Sequence, residues 1–262
     1  MTSLDASLAI EPAGDGAWLA LADPQQTANS GMFGGWTAAL LLKSVLDDPC
    51  AQGTTSAITV NYVNRIEPGS ALVLRTQRLG GGKSLTTWRA QVLVEGAADV
   101  AATASIVLAN RRDSDRFTEP KLPNAVAPET LPMFQPPGPF GKGMDIRTVI
   151  GVNPFNQPTT RSLSWERDLE DRAWDALQIV YFSDVGWPRV WPLGAAARPS
   201  STITMSTYIH ATSEELATCG GDYILADMVG TRIDNSTCGS RANLWSRAGA
   251  LLATTEQLCW FR

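Results

Sequence analysis

The sequence has one histidine, His210, in 262 residues. That scarcity excludes catalytic schemes built on two histidines and most histidine-rich metal centres. Its four cysteines (Cys50, Cys219, Cys238, Cys259) include no CxxC pair, so neither a zinc site nor a disulfide framework is indicated. Free thiols suit a reducing, cytoplasmic setting. Long apolar runs are missing too. The longest nearly uncharged stretch, Gly34 to Leu42, is far shorter than the ~20 residues of a membrane-spanning helix. The N-terminus lacks a basic region, its first charge being Asp5, so no secretory leader is expected. Positive charge is in deficit, with 21 Lys and Arg against 26 Asp and Glu. A net charge of −5 argues against a general nucleic-acid binder but leaves room for a small anionic ligand met by a few local cations.

What the chain does have is 44% hydrophobic residues with 22 Gly, 16 Pro and 9 Trp, a composition that indicates a globular protein. Most of the prolines fall between Asn110 and Pro158, including the run Gln135-Pro136-Pro137-Gly138-Pro139. Proline fixes φ and removes a donor, so this stretch reads as a linker over the surface, ending in a short strand near Ile146 to Val152. The expected organisation is a first domain over 1–109, a linker over 110–158 and a second domain over 159–262.

The two halves look alike. In the first, Gly34-Gly35 opens Trp36 to Leu46, a segment apolar around nearly its whole circumference, and Asp47-Asp48-Pro49 stops it. A helix without a polar face must be buried on most sides. Four extended runs follow, Ala57 to Ile66, Ser70 to Leu79, Ser84 to Glu95 and Asp99 to Leu108, separated by Gly-containing turns. In the second half, Ala173 to Val185 reads as a mostly apolar helix, followed by runs at Thr202 to His210, Tyr223 to Ile233, Ser240 to Ser246 and Leu251 to Phe261. Ala57-Ile58-Thr59-Val60 lines up with Thr202-Ile203-Thr204-Met205, which sets Arg65 opposite His210. Two curved antiparallel sheets, each wrapping a helix, can join edge to edge and hide their exposed edges. The fold class is therefore α+β, a double hotdog.

Over nearly the whole chain outside the linker, the sequence resembles the acyl-CoA thioesterase II family. The likeness is carried by Met32-Phe33-Gly34-Gly35, by Val60-Asn61-Tyr62-Val63-Asn64-Arg65-Ile66-Glu67-Pro68-Gly69, and by the basic turn Arg78-Leu79-Gly80-Gly81-Gly82-Lys83-Ser84. Phe182-Ser183-Asp184, Thr202-Ile203 with Ser206 and His210, and Ala253-Thr254-Thr255-Glu256-Gln257 continue it in the second half. The resemblance implies hydrolysis of a fatty or related acyl-CoA to free acid and CoA, with Asp184, Thr202 and Gln257 as the catalytic set and no metal or prosthetic group. Thr204 and Ala211-Thr212 depart from the family's pattern, and so does the loop between Asp184 and Thr202, with its Trp187, Pro188, Trp191 and Pro192.

Those residue types suit the chemistry. A carboxylate accepts a proton from water, and hydroxyl and amide groups orient that water without forming an acyl-enzyme. Asp184 also fits a helix end, Thr202 an ordinary strand with Ser200 or Ser201 in its place, and Gln257 an exposed strand face. Gly34 and Gly35 are candidate amide donors at a helix N-terminus, Gly35 to the thioester carbonyl, or simply allow close packing. Arg78, Lys83 and Arg89 are candidates for the CoA phosphates, or a solvated hairpin. Beside acyl-CoA hydrolysis stand a non-catalytic acyl-CoA or lipid binder and, on the same fold, a hydratase, which needs a His on a buried helix. A homo-oligomer is expected, while acyl length and the choice between CoA and a carrier protein stay open.

Overall fold

The computed structural model describes residues 3–29 and 31–262. In chain order the elements are α1 (Leu4–Ser7), β1 (Glu11–Pro12), β2 (Ala17–Leu21), β3 (Thr27–Ala28), β4 (Gly31–Met32), α2 (Gly34–Leu46), β5 (Thr54–Tyr62), β6 (Ala71–Gly81), β7 (Leu85–Val94) and β8 (Ala102–Ala109). They continue with β9 (Met144–Ile150), β10 (Ser162–Asp168), α3 (Ala176–Phe182), β11 (Ser200–Ile209), α4 (Ser213–Cys219), β12 (Ile224–Asp234), β13 (Thr237–Ser246) and β14 (Leu251–Phe261). Twelve strands form one sheet in the order β1-β2-β6-β7-β8-β5-β11-β14-β13-β12-β10-β9.

The halves meet at the β5–β11 pair, whose register runs from Asn61 opposite Thr204 to Ala57 opposite Tyr208. Pairing these two strands leaves neither half with an open inner edge. Inside the curved sheet, α2 packs against α3. Trp36, Ala38, Ala39, Leu40, Leu41 and Leu42 of α2 are all fully buried. Its polar Thr37 and Ser44 are buried as well and hand their hydroxyls to the Phe33 and Leu41 carbonyls of the same helix. A helix with no polar face thus becomes the core of the first half.

The second helix is shorter than its apolar composition predicts. The Asp175 side chain accepts from the Gln178 amide, so the helix begins after it, and Trp174 turns away to donate to the Asp222 carbonyl. At the other end the Ser183 hydroxyl donates to the Ile179 carbonyl and the chain leaves the helix just before Asp184. The elements β1 to β4, α1, α4 and β10 have no counterpart among the expected ones.

Two hydrogen-bond details fix how the halves correspond. The β5–β8 ladder has an irregularity between Thr55 and Ala57, and the β11–β14 ladder has one between Thr202 and Thr204. Beyond β5, the Val63 and Asn64 amides both donate to Ala101; beyond β11, those of His210 and Ala211 both donate to Leu252. Thr55 is therefore the counterpart of Thr202, and Val63, not Arg65, that of His210. The sequence alignment is two residues out, a displacement that leaves every strand side chain on the same face and so leaves no trace in the alternation.

From residue 110 to 143 the chain drapes over the second half. Arg111 clamps the start by donating to the carbonyls of Thr55, Ile209, His210 and Ala211. Ala125 and Leu131 cover Leu163, Trp165, Leu225 and Trp245 on the outer sheet face, and the Trp165 indole donates to the Val126 carbonyl. Pro136, Pro137 and Phe140 turn inward and line a cleft.

Candidate active site

That cleft has a volume of about 850 Å³ and is lined by both halves and by Pro136, Pro137 and Phe140. Asp184, Thr202, Gln257 and Gly34 all line it. Asp184 follows the C-terminal end of α3 and faces the first turn of α2 (Gly34–Leu46). Gln257 points inward from β14, and its Nε2 donates to Asp184 Oδ1 at 2.9 Å and to the Ser183 carbonyl at 3.2 Å. The Gly35 amide faces the same carboxylate and favours its ionised form. Thr202 lies opposite Cys259 on the neighbouring strand, with Oγ1 3.7 Å from its Sγ. Asp184 and Gln257 are thus in direct contact, while Thr202 joins them along the cleft wall.

Burial pushes the Asp184 carboxyl up to about 7, and the hydrogen bonds from Gln257 and Gly35 only partly offset it. The group is only half-buried by exposure, so solvent reaches a carboxylate that protein crowds on most sides. Such a group exchanges a proton near neutrality. Its neighbours are held protonated: burial pushes the Cys259 thiol up to about 12, and burial together with the Asp184 charge raises the Tyr62 hydroxyl. A thiolate nucleophile is therefore disfavoured here. Tyr62 donates to the Gly34 carbonyl at 2.9 Å and braces the start of α2.

The two glycines are required by proximity. A Cβ on Gly34 would lie 2.6 Å from Asp184 Oδ2, and one on Gly35 would collide with the Tyr181 carbonyl oxygen of α3. The Gly35 amide faces the Asp184 carboxylate, and Gly34 rather than Gly35 lines the cleft.

Arg78, Lys83 and Arg89 also fall elsewhere than expected. They belong to the β6–β7 hairpin, three and two strands from β5 in the sheet, and none lines the cleft. Arg78 donates to the Gly81 carbonyl and Arg89 to the Gln77 side chain within that hairpin. The cations at the cleft are Arg65, Arg189, Arg198, Arg241 and Arg262. Arg198 stacks on Phe261 at 4.4 Å, Arg262 on Trp260 at 5.2 Å, and Arg65 pairs with Glu67 at 2.9 Å. Sequence reasoning did not single them out as phosphate ligands, because lone arginines in loops, at the C-terminus or on a strand carry no periodic signal. His210 hydrogen-bonds Thr254 on the outer side and does not line the cleft, which leaves a hydratase without its histidine.

Only one half carries the polar set. The first-half counterparts of Thr255, Gln257 and Cys259 are Ala104, Ile106 and Leu108 by register. Ile106 is fully buried against the core, where Gln257 faces the cleft.

Residues 21–109 match the acyl-CoA thioesterase N-terminal domain and residues 123–261 the acyl-CoA thioesterase C-terminal domain. The chain belongs to the acyl-CoA thioesterase family. It is a thioester hydrolase with a double hotdog fold. A hot-dog-fold protein of unknown function from Alicyclobacillus acidocaldarius superposes with a TM-score of 0.94 at 25% identity, over 99% of this chain and 97% of that one. A putative thioesterase II from Thermobifida fusca gives 0.86 at 17% identity, over 100% and 98%. The acyl-CoA thioesterase II TesB2 from Mycobacterium marinum gives 0.78 at 14%, over 99% and 98%. The latter two likenesses bear on the fold alone. No curated protein sequence matches the chain. Among the described residues no helix is long and apolar enough to cross a membrane.

Proposed function

We propose that this thioesterase hydrolyses acyl-CoA by direct attack of a water molecule activated at Asp184. The ionised carboxylate takes a proton from water as the oxygen attacks the thioester carbonyl carbon. The resulting tetrahedral intermediate expels the CoA sulfur, which leaves with that proton, and the products are free acid and CoA thiol. Gln257 holds the carboxylate in place and, with the Thr202 hydroxyl, orients the water. With the Gly35 amide facing Asp184 and Gly34 lining the cleft, the Gly34 amide becomes the donor to the developing oxyanion. It lies at the same helix N-terminus, where the first amides have no intrahelical partner and the dipole favours negative charge.

The observation that carries this reading is a carboxylate poised near 7, tied to a glutamine 73 residues away, inside a cleft large enough for an acyl chain. Arg198 and Arg262 at the rim are proposed to meet the CoA phosphates in place of the β6–β7 hairpin. Purified protein should release thiol from one or more acyl-CoAs of a panel, and Asp184→Asn should lower the rate at least about 100-fold. Equal rates would reject the mechanism. A homo-oligomer and a cytoplasmic setting belong to the same proposal. They are supported by the exposed Ile203, Tyr208, Leu258 and Trp260 on one sheet face and by four free cysteines. Light scattering on the eluted protein reads the first.

A further inference from the structure

Arg189 is 5% exposed and makes no ion pair among the described residues, although exposed arginines of this chain find carboxylates readily. Buried charges are normally paired, because removing a guanidinium from water without a counter-charge is costly. Three of its bonds fix it. Nε donates to the Trp187 carbonyl at 2.6 Å, and Nη1 donates to the Thr160 carbonyl at 3.0 Å and to Ser162 Oγ at 2.7 Å. Nη2 has no hydrogen-bond partner among the described residues. The free nitrogen is itself buried just behind the cleft wall: a Cβ on Gly186 would lie 3.1 Å from it and overlap Met228 Sδ, and Gly186, Met228 and Arg189 all line the cleft. The one carboxyl whose charge Arg189 feels is Glu166, which is not within ion-pair distance. It accepts from Ser164 at 2.7 Å, and burial pushes it up to about 7. Burial also lowers Arg189 to about 10, so it stays cationic at neutral pH.

The rim arginines are exposed, whereas Arg189 is in the buried part of the cleft beside Met228 and Ala242. With the CoA headgroup met by the rim arginines as proposed above, what reaches Arg189 is the acyl end. On the thioesterase reading above, we infer that the substrate's acyl chain ends in a carboxylate, which the free Nη2 of Arg189 receives. The substrate class is then the half-thioester of a dicarboxylic acid with CoA, not a plain alkyl thioester. Met228, unbranched and flexible, is the side chain that yields to admit the tail. Arg189 is here a specificity residue; it takes no part in the proton transfer at Asp184.

The test is thiol release from matched acyl-CoA pairs of equal chain length, one ending in methyl and one in carboxylate, by wild-type protein and Arg189→Met. A charge-assisted hydrogen bond made by the tail predicts a wild-type kcat/KM at least about tenfold higher for the carboxylate partner. Arg189→Met should erase that preference, with a loss on the carboxylate partner at least about tenfold greater than any loss on the methyl partner. If the variant does not fold, inhibition of wild type by non-hydrolysable carboxyalkyl-CoA and alkyl-CoA thioethers gives the same comparison. Hydrolysis of alkyl thioesters with equal or lower rates for the carboxylate series overturns this inference and leaves the thioesterase mechanism standing. Equal loss on both series in Arg189→Met assigns the residue to structure and also overturns it. No thiol release from either series in wild type defeats both.

Discussion

Replacing Gln257 with methionine should move the pH dependence of the enzyme in a stated direction. Methionine is similar in length and fills irregular space, but it cannot donate to Asp184. The lost bond is the 2.9 Å contact from Gln257 Nε2, one of two interactions that pull the Asp184 pKa down against its burial. A hydrogen bond to a charged group contributes about 1.5–3 kcal/mol, and 1.36 kcal/mol corresponds to one pKa unit, so the carboxyl should rise by about 1–2 units. The working base is the ionised form. In wild type kcat/KM should therefore climb with pH through an inflection near 7 and level off above it. In Gln257→Met the inflection should fall between about 8 and 9, with a lower plateau because one orienting group is gone. The assay is thiol release at subsaturating acyl-CoA from about pH 5 to about 9.5, which reports the free enzyme. An inflection that stays within about 0.3 unit of wild type, or moves down, would refute the argument that Gln257 sets the base.

Gly35→Ala places a methyl group against the Tyr181 carbonyl and should cost about 2–4 kcal/mol in denaturant unfolding, with activity falling as α2 and α3 are forced apart. Asp184 has a folded pKa raised from 3.8 to about 7, so its stability contribution is full below pH ~4 and is lost as pH rises through 7. Asp184→Asn removes that loss, and its stability relative to wild type should grow by up to about 4 kcal/mol between pH 4 and pH 8, read from paired urea melts. The double change Arg198→Gln with Arg262→Gln should raise KM several-fold at nearly constant kcat, and the effect should shrink as salt is added.

How much of this was legible depends on what each residue signals locally. The helix from Gly34 to Leu46 was readable because apolar residues on every side leave only the core as its place. The length of the second helix was not, because Asp175 works as a cap inside what looks like a continuous apolar run. Strand β10 escaped notice because its inward face is Ser162, Ser164 and Glu166, a polar row where a core strand is expected to be apolar. Asp184, Thr202 and Gln257 came through resemblance; no spacing rule connects side chains that meet only when β14 crosses the end of α3. The phosphate candidates lie apart from the cleft for a related reason. Arg78, Lys83 and Arg89 form a plausible basic turn, but the order of strands in the sheet, which local sequence does not encode, carries that hairpin away from the cleft.

A structure of the protein with a non-hydrolysable acyl-CoA thioether analogue tests the mechanism most directly. The account predicts one ordered water hydrogen-bonded to Asp184 and lying about 3–3.5 Å from the carbon that stands for the thioester carbonyl, with Gln257 and Thr202 beside it. A bound analogue whose reactive carbon sits far from Asp184, or that leaves no space for solvent between them, would contradict it.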